Sequence, residues 1–280
     1  MNPNQSVHVL LGDQYYQVER NWAAAAYESK GICDISVLTD GRIVVLRRHH
    51  PQFSLLSPQG ELLEHWSVPS LISAHYMQPR TNGGLLVADL CSHTVIGLNH
   101  KGELILELGQ RGTPKWGQPF NNPTAAIEDT QGRIYVTDGY GNACLHGFNA
   151  DGSHQFTIGK RGSEPGEFST PHAIVISNKG ELFVGDRENS RIQVFDTQGN
   201  WLRQFSNMYK PMAIALLGDD QLLVSDQTPA LSLFSTAGEL LGRCRTYGVY
   251  GHGVAVDQHG AIYIAEMAPD SITKLSPISL

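Results

Sequence analysis

Short runs of alternating apolar and polar residues recur along this chain at regular intervals. "LLVAD" (85–89), "IYVTD" (134–138), "LFVGD" (182–186), "LLVSD" (222–226) and "IYIAE" (262–266) each end in an acid, and "IVVLR" (43–47) fills the same place with Arg47. Glycines fall in pairs 19 or 20 residues apart, at 41/60, 83/102, 132/152, 180/199 and 218/238, and Gly260 begins a sixth unit. Each unit reads as strand, Gly turn, strand, connection, strand, Gly turn, strand. The fourth is the clearest, with "HAIVIS", "ELFVGD", "RIQVFD" and "WLRQFS". Alternation and Val/Ile/Phe content are strand signals, and the "KG", "QG" and "DG" pairs are turn signals.

A four-stranded unit of about 40–50 residues cannot bury both its faces alone, so the units must pack radially. The fold predicted is all-β, a six-bladed β-propeller formed as a single domain over residues 1–280. The sixth unit supplies only three strands, "HGVAVD", "AIYIAE" and "SITKLS". The N-terminal run "YYQVERNW" (15–22) is therefore predicted to complete the last blade, closing the ring and covering an open sheet edge.

The acid (or Arg47) that ends each second strand serves as a ruler. Counting back 14 residues from it reaches Cys33, His75, Thr124, His172, Met212 and His252 in blades one to six. These six are equivalent positions on the strand that lines the central channel, and histidine occupies them in alternate blades. Either each histidine is a water-bonded channel residue, or the three converge on one point. Three neutral imidazoles with an open fourth position form a catalytic zinc site, which makes His75, His172 and His252 the candidate metal ligands. Cys33 reads as a small buried hydrophobe, Met212 as an apolar wall and Thr124 as a neutral one. The other nine of the 12 histidines show no such registry and read as solvated surface.

Just beyond the ruler residue, on the loops that open to the same face, stand Arg48 in blade one, Tyr140 of "GYGN" in blade three and Arg187 in blade four. Arginine presents a planar fork suited to a carboxylate, and a phenol beside a metal and two guanidiniums can act as a base. The alternative for this region is blade-to-blade salt bridging, which is the expected role of Asp89, Asp138, Asp186 and Asp226.

Composition narrows the function classes. The net charge of −7 is spread without a basic block, which argues against nucleic acid as a partner. No apolar run reaches the length of a membrane span. The N-terminal stretch lacks a positive n-region, and the four cysteines (33, 91, 144 and 244) contain no CxxC pair. Free thiols without an export signal suggest a reducing compartment, and a cytoplasmic location is expected.

The tracts "NNPTAAIEDTQGRIYVTDGYGNACLHGFNADG" and "FSTPHAIVISNKGELFVGDRENSRIQVFDTQG" resemble NHL-repeat propellers. More specifically, "DGY", the "PH" that opens a blade and "DREN" are similar to the peptidyl-α-hydroxyglycine α-amidating lyase group, bacterial members included. The likeness runs from about Tyr15 onward. It implies a zinc-dependent lyase that cleaves a carbinolamide to an amide and glyoxylate. The family's zinc ligands then match His75, His172 and His252, its arginines Arg48 and Arg187, and its catalytic tyrosine Tyr140. Departures accompany the match. Gly141, Phe183 and Val194 stand where secreted animal members have disulfide cysteines, Cys144 replaces an arginine, and "RRHHP" departs around Arg48. Gly253 replaces an acid that helps hold a structural calcium, so a calcium ion would lack that ligand.

The reaction expected is removal of the substrate's hydroxyl proton by Tyr140, with zinc activating the hydroxyl and the arginines holding a carboxylate. The substrate is then a small carboxylate-bearing molecule. Two rivals remain open: a non-enzymatic NHL-repeat module that docks a protein partner without metal, and a calcium-dependent sugar-lactone hydrolase.

Overall fold

The computed structural model describes residues 7–24, 31–50 and 52–279. Residues 1–6, 25–30, 51 and 280 of the 1–280 span, including the proline of "RRHHP", lie outside the described residues. The strands fall into six antiparallel sheets, five of four strands and one of five. The innermost strands are Ile32–Val37, Ala74–Pro79, Ala125–Glu128, Pro171–Ile176, Pro211–Leu217 and Gly251–Val256. Each touches the inner strand of the next blade, and the last touches the first, so the ring closes. The chain is a six-bladed β-propeller, as the repeat predicts.

Burial follows the radial order. Second strands such as Leu182–Asp186 are buried at every position, because both faces pack on neighbouring blades. Fourth strands such as Leu62–Trp66 are largely exposed at the rim. Phe120, Phe168, Phe183, Phe195 and Phe234 belong to one core cluster running through consecutive blades.

The closing blade departs from expectation by one strand. Gln14–Glu19 pairs antiparallel with Asp270–Ile278, Tyr15 opposite Ile278 and Glu19 opposite Lys274, as the ring-closing reading requires. A further strand, Val7–Leu11, pairs outside it with Leu11 opposite Gln14. Leu11 and Tyr16 are buried in the cluster that also contains Leu231 and Leu233 of blade five. The sequence carries a signal for this hairpin, the Gly12-Asp13 turn with Gly12 at φ +60°, a conformation glycine adopts at little cost.

The acids ending the second strands are not blade-to-blade salt bridges. They accept hydrogen bonds from backbone N–H groups of the loop leading into their own blade. Asp89 accepts from Ile72 and Ser73 at 2.9 and 2.7 Å, Asp138 from Asn121 at 2.8 Å, Asp186 from Ser169 at 2.7 Å and Asp226 from Tyr209 at 3.1 Å. A buried loop must pair its donors somewhere, and a fixed carboxylate does so for two amides at once. Blade one, with Arg47 in that place, takes its carboxylate from next door: Asp270 of blade six accepts from Gly31 and Ile32 at 2.9 and 3.0 Å.

Candidate metal centre

The inner strands carry a local irregularity that aims the site. In blades one, two, four, five and six the ladder register skips one residue near the strand's start, over Cys33, His75, His172, Met212 and His252. A bulged residue leaves the regular in-and-out alternation and bends its strand. In blade three Thr124 directly precedes the strand, and its N–H donates to Thr137 O at 2.8 Å.

His75, His172 and His252 are buried, and their ring centroids stand 5.0, 4.9 and 5.0 Å apart. One ligand atom from each lies within 4.8 Å of the other two. Among the described residues they form the one such group of three His, Cys, Asp or Glu side chains. Alternation is built into the backbone. His75 Nδ1 donates to Thr124 O, His172 Nδ1 to Met212 O and His252 Nδ1 to Cys33 O, all at 2.7 Å. Each histidine is thus held by the carbonyl of the equivalent position in the following blade. A carbonyl only accepts, so these bonds fix the Nδ1–H tautomer and leave each Nε2 with a lone pair.

Burial holds all three imidazoles neutral. His252 is pushed down to about 4, by burial first and the Arg48 charge second. His75 and His172 lie well below the ordinary range, through burial first and then because protonated rings this close together would repel one another. The Tyr140 hydroxyl stands 3.2 Å from His75 Nε2 and 3.1 Å from His172 Nε2. One hydroxyl proton cannot serve three Nε2 lone pairs. A bound cation would satisfy them together, and three neutral imidazoles anchored through Nδ1–H to carbonyls are a donor set that fits zinc or a similar borderline ion.

Tyr140 reaches the trio because Gly139 lets its loop lie against blade four, where a β-carbon would strike the Pro171 carbonyl. Arg187 donates from Nη1 to the Tyr140 oxygen at 3.2 Å, with its guanidinium 5.2 Å from the ring centroid. Arg48 borders the trio from blade one, and its charge acts on both His75 and His252. Its Nε is a buried donor with no hydrogen-bond partner. Five of the six residues picked out by spacing and resemblance, His75, His172, His252, Tyr140 and Arg187, therefore form one connected cluster, and Arg48 is near enough for its charge to act on His75 and His252. Cys33 is buried with its thiol toward the Leu46 and Ala74 carbonyls, in keeping with its reading as a packed thiol. At Gly253 a β-carbon would collide with Asp34, whose carboxyl occupies that space and accepts from Ile35 and Met77 N–H at 2.9 and 2.7 Å.

Two features escaped the sequence reading. Glu188 pairs with Arg187 Nε at 3.0 Å and with Lys210 Nζ at 2.7 Å, linking blades four and five beside the site. Its signal was its place in "DREN". His146 is not surface: it is fully buried on the third strand of blade three, between Thr157 Oγ1 at 2.8 Å and Asp138 at 3.3 Å. That strand is covered by neighbours on both sides, which a count of turns does not reveal.

Comparison with known proteins agrees with this architecture. A protein-family model described as a 6-bladed beta-propeller matches residues 122–205. Over 207 residues the chain is 30% identical to NHL repeat-containing protein 3 of Homo sapiens, covering 67% of this chain and 60% of that protein. It is 29% identical over 147 residues to a probable peptidyl-alpha-hydroxyglycine alpha-amidating lyase of Caenorhabditis elegans, covering 51% of this chain and 42% of that protein. A solved streptogramin B lyase shares the fold with a TM-score of 0.70 at 15% identity, covering 94% of this chain and 98% of the other. The chain thus spans about 60% of the length of the NHL repeat-containing protein. Fold and repeats together define a propeller of the NHL-repeat kind. The chain is homologous, at modest identity, to proteins of the amidating lyase family.

No helix among the described residues is long and apolar enough to cross a membrane. All four cysteines are free.

Proposed function

We propose that this chain is a lyase that cleaves an α-hydroxyglycine-type carbinolamide into an amide and glyoxylate, with zinc held by Nε2 of His75, His172 and His252. When bound, zinc supplies Lewis acidity that eases loss of a proton from a substrate hydroxyl. The remaining work falls to the chain's own side chains. Tyr140 Oη, acting in its phenolate form beside the Arg187 guanidinium, takes the hydroxyl proton. The carbon–oxygen double bond forms as the carbon–nitrogen bond breaks, and the same proton passes to the departing amide nitrogen. No water, oxidant or reductant is consumed. Arg187 donates to the Tyr140 oxygen and so sets a positive charge where negative charge develops. Arg48, with its unpartnered buried Nε, and the remaining face of the Arg187 guanidinium are the groups to hold the substrate carboxylate.

The observation that carries this reading is the placement of one phenol oxygen within 3.2 Å of two imidazole nitrogens and an arginine nitrogen. A purely structural channel has no use for such a focus of donors and acceptors. The likeness to an amidating lyase supports the same chemistry. The test is glyoxylate release from N-acetyl-α-hydroxyglycine by the full chain loaded with one equivalent of zinc. Release above the metal-free rate supports the proposal, and its absence with zinc bound rejects this substrate class.

A further inference from the structure

Arg187 reaches Tyr140 from a turn whose backbone is fixed. Over Arg187–Asn189 the Arg187 N–H donates to Thr170 O at 3.1 Å, the Glu188 N–H to Ser169 O at 2.9 Å and the Ser190 N–H to Arg187 O at 3.0 Å. An arginine side chain still has several rotatable bonds to order beyond a fixed backbone. Two contacts order this one. Nη1 donates to the Tyr140 oxygen at 3.2 Å, and Nε donates to Glu188 Oε1 at 3.0 Å. Holding two nitrogens of one planar group fixes the direction in which the group faces.

Glu188 is held in turn from blade five. Its Oε2 accepts from Lys210 Nζ at 2.7 Å. That hydrogen bond keeps the Glu188 carboxyl below its ordinary range, so the group is a carboxylate. Lys210 lies at φ +52°, a left-handed conformation uncommon outside glycine. Its N–H donates to Ser190 Oγ at 3.2 Å, at the end of the turn that carries Arg187. Two residues further on, Met212 O accepts from His172 Nδ1 at 2.7 Å. One short stretch of blade five therefore orients a candidate ligand through a carbonyl and the candidate arginine through Glu188.

Stability does not account for this chain of contacts. The side chains of Lys210 and Glu188 are 29% and 32% exposed, and ion pairs so open to water add little to folding. Charge balance gives it a use. Arg187 and Glu188 alone would cancel, and the carboxylate would repel an anion arriving at the guanidinium. Lys210 restores a net positive charge while Glu188 keeps its bond to Nε.

Building on the carbinolamide reading, we propose that Glu188 is a positioning residue that holds Arg187 against Tyr140, and that Lys210 neutralises Glu188 so that Arg187 still attracts the substrate carboxylate. The two roles are separable. Loss of the acceptor at Nε frees the guanidinium and slows turnover. Loss of the Lys210 charge leaves the guanidinium in place and weakens carboxylate binding.

The experiment pairs calorimetric titration of N-acetylglycine, which lacks the hydroxyl and cannot be cleaved, with steady-state glyoxylate release from N-acetyl-α-hydroxyglycine. Both use the zinc-loaded full chain, and each variant is matched to the unaltered protein in zinc content and circular dichroism melt. Glu188→Ala is expected to lower kcat at least about 10-fold, one charge-assisted hydrogen bond's worth. Glu188→Gln, whose amide oxygen still accepts from Nε, is expected to stay within about 3-fold of the unaltered kcat. Lys210→Met is expected to raise KM and the Kd of N-acetylglycine at least about 5-fold, with kcat within about 2-fold. The Glu188→Gln/Lys210→Met double variant has no carboxylate left to neutralise, so its Kd is expected to return to that of the unaltered chain. A Glu188→Ala variant that keeps its kcat, or a Glu188→Gln variant as slow as Glu188→Ala, overturns the inference. So does a Lys210→Met variant that binds normally, a double variant as weak as Lys210→Met, or an unaltered chain that does not bind N-acetylglycine. The binding pattern without glyoxylate release sinks only the reaction, whereas release that is the same in every variant sinks only this assignment.

Discussion

His252 of the last blade donates its Nδ1–H to the backbone carbonyl of Cys33 in the first, at 2.7 Å, across the junction where the ring closes. The same junction is held by Asp270, whose carboxylate caps the Gly31 and Ile32 amides. One of the three candidate ligands is therefore oriented by the blade that follows it only after closure. Closure and site formation are coupled.

Weakening the closing strand should accordingly cost more than an edge-strand change normally does. Tyr16, buried on Gln14–Glu19, packs into the cluster shared with Leu231 and Leu233. Tyr16→Ala is expected to lower stability by about 3 kcal/mol, the scale of an aromatic truncated in a core, and to weaken metal binding with it. Urea denaturation with and without zinc measures both effects.

Tyr140→Phe removes the phenol oxygen and leaves all three histidines and their carbonyl partners in place. Zinc content is expected to stay at the level of the unaltered chain, while glyoxylate release falls by about 10²–10⁴-fold, the range for losing a general acid–base. A variant that keeps its rate removes Tyr140 from the chemistry.

Arg187→Lys keeps a positive charge but loses the planar fork that reaches both Glu188 and Tyr140. A loss of at least about 10-fold in kcat/KM is expected, one charge-assisted hydrogen bond's worth. Steady-state kinetics on a zinc-loaded preparation reads it directly.

The metal-free chain should lose stability on mild acidification. His252 titrates at about 4 in the fold, against about 6.5 in an unfolded chain. Between those values the unfolded chain binds a proton that the folded one refuses. The stabilisation is complete above about pH 6.5 and is lost progressively as pH falls toward 4. For this one group the full loss is on the order of 3 kcal/mol, and His75 and His172 act in the same direction. Thermal melts of the metal-free protein from pH 7.5 down to 5 should show a falling midpoint, and a flat profile would count against three buried neutral imidazoles.

Much of this architecture was legible because a propeller writes its symmetry into spacing. The constant distance from the ruler residue to the aligned position picked out His75, His172 and His252, which the fold brings within 4.8 Å. The N-terminal strand announced itself by the missing fourth strand of blade six. The bulges that turn the histidines toward the axis were not legible, because a one-residue register skip leaves the apolar alternation intact elsewhere in the strand. Nor was the use of the Thr124, Met212 and Cys33 carbonyls as acceptors for the histidine Nδ1–H groups, since a backbone acceptor carries no side-chain signature. The acids were misjudged for a related reason: Asp186 looks like a salt-bridge residue by type, yet it accepts from the Ser169 backbone as well as from Arg191.

The most direct measurement is elemental analysis of the purified chain beside a His172→Ala variant shown to be folded by circular dichroism. One zinc per chain in the unaltered protein, reduced to a trace in the variant, is the result expected if the three imidazoles share an ion. An unaltered chain that binds no metal even when zinc is supplied, or a variant that retains a full equivalent, contradicts it.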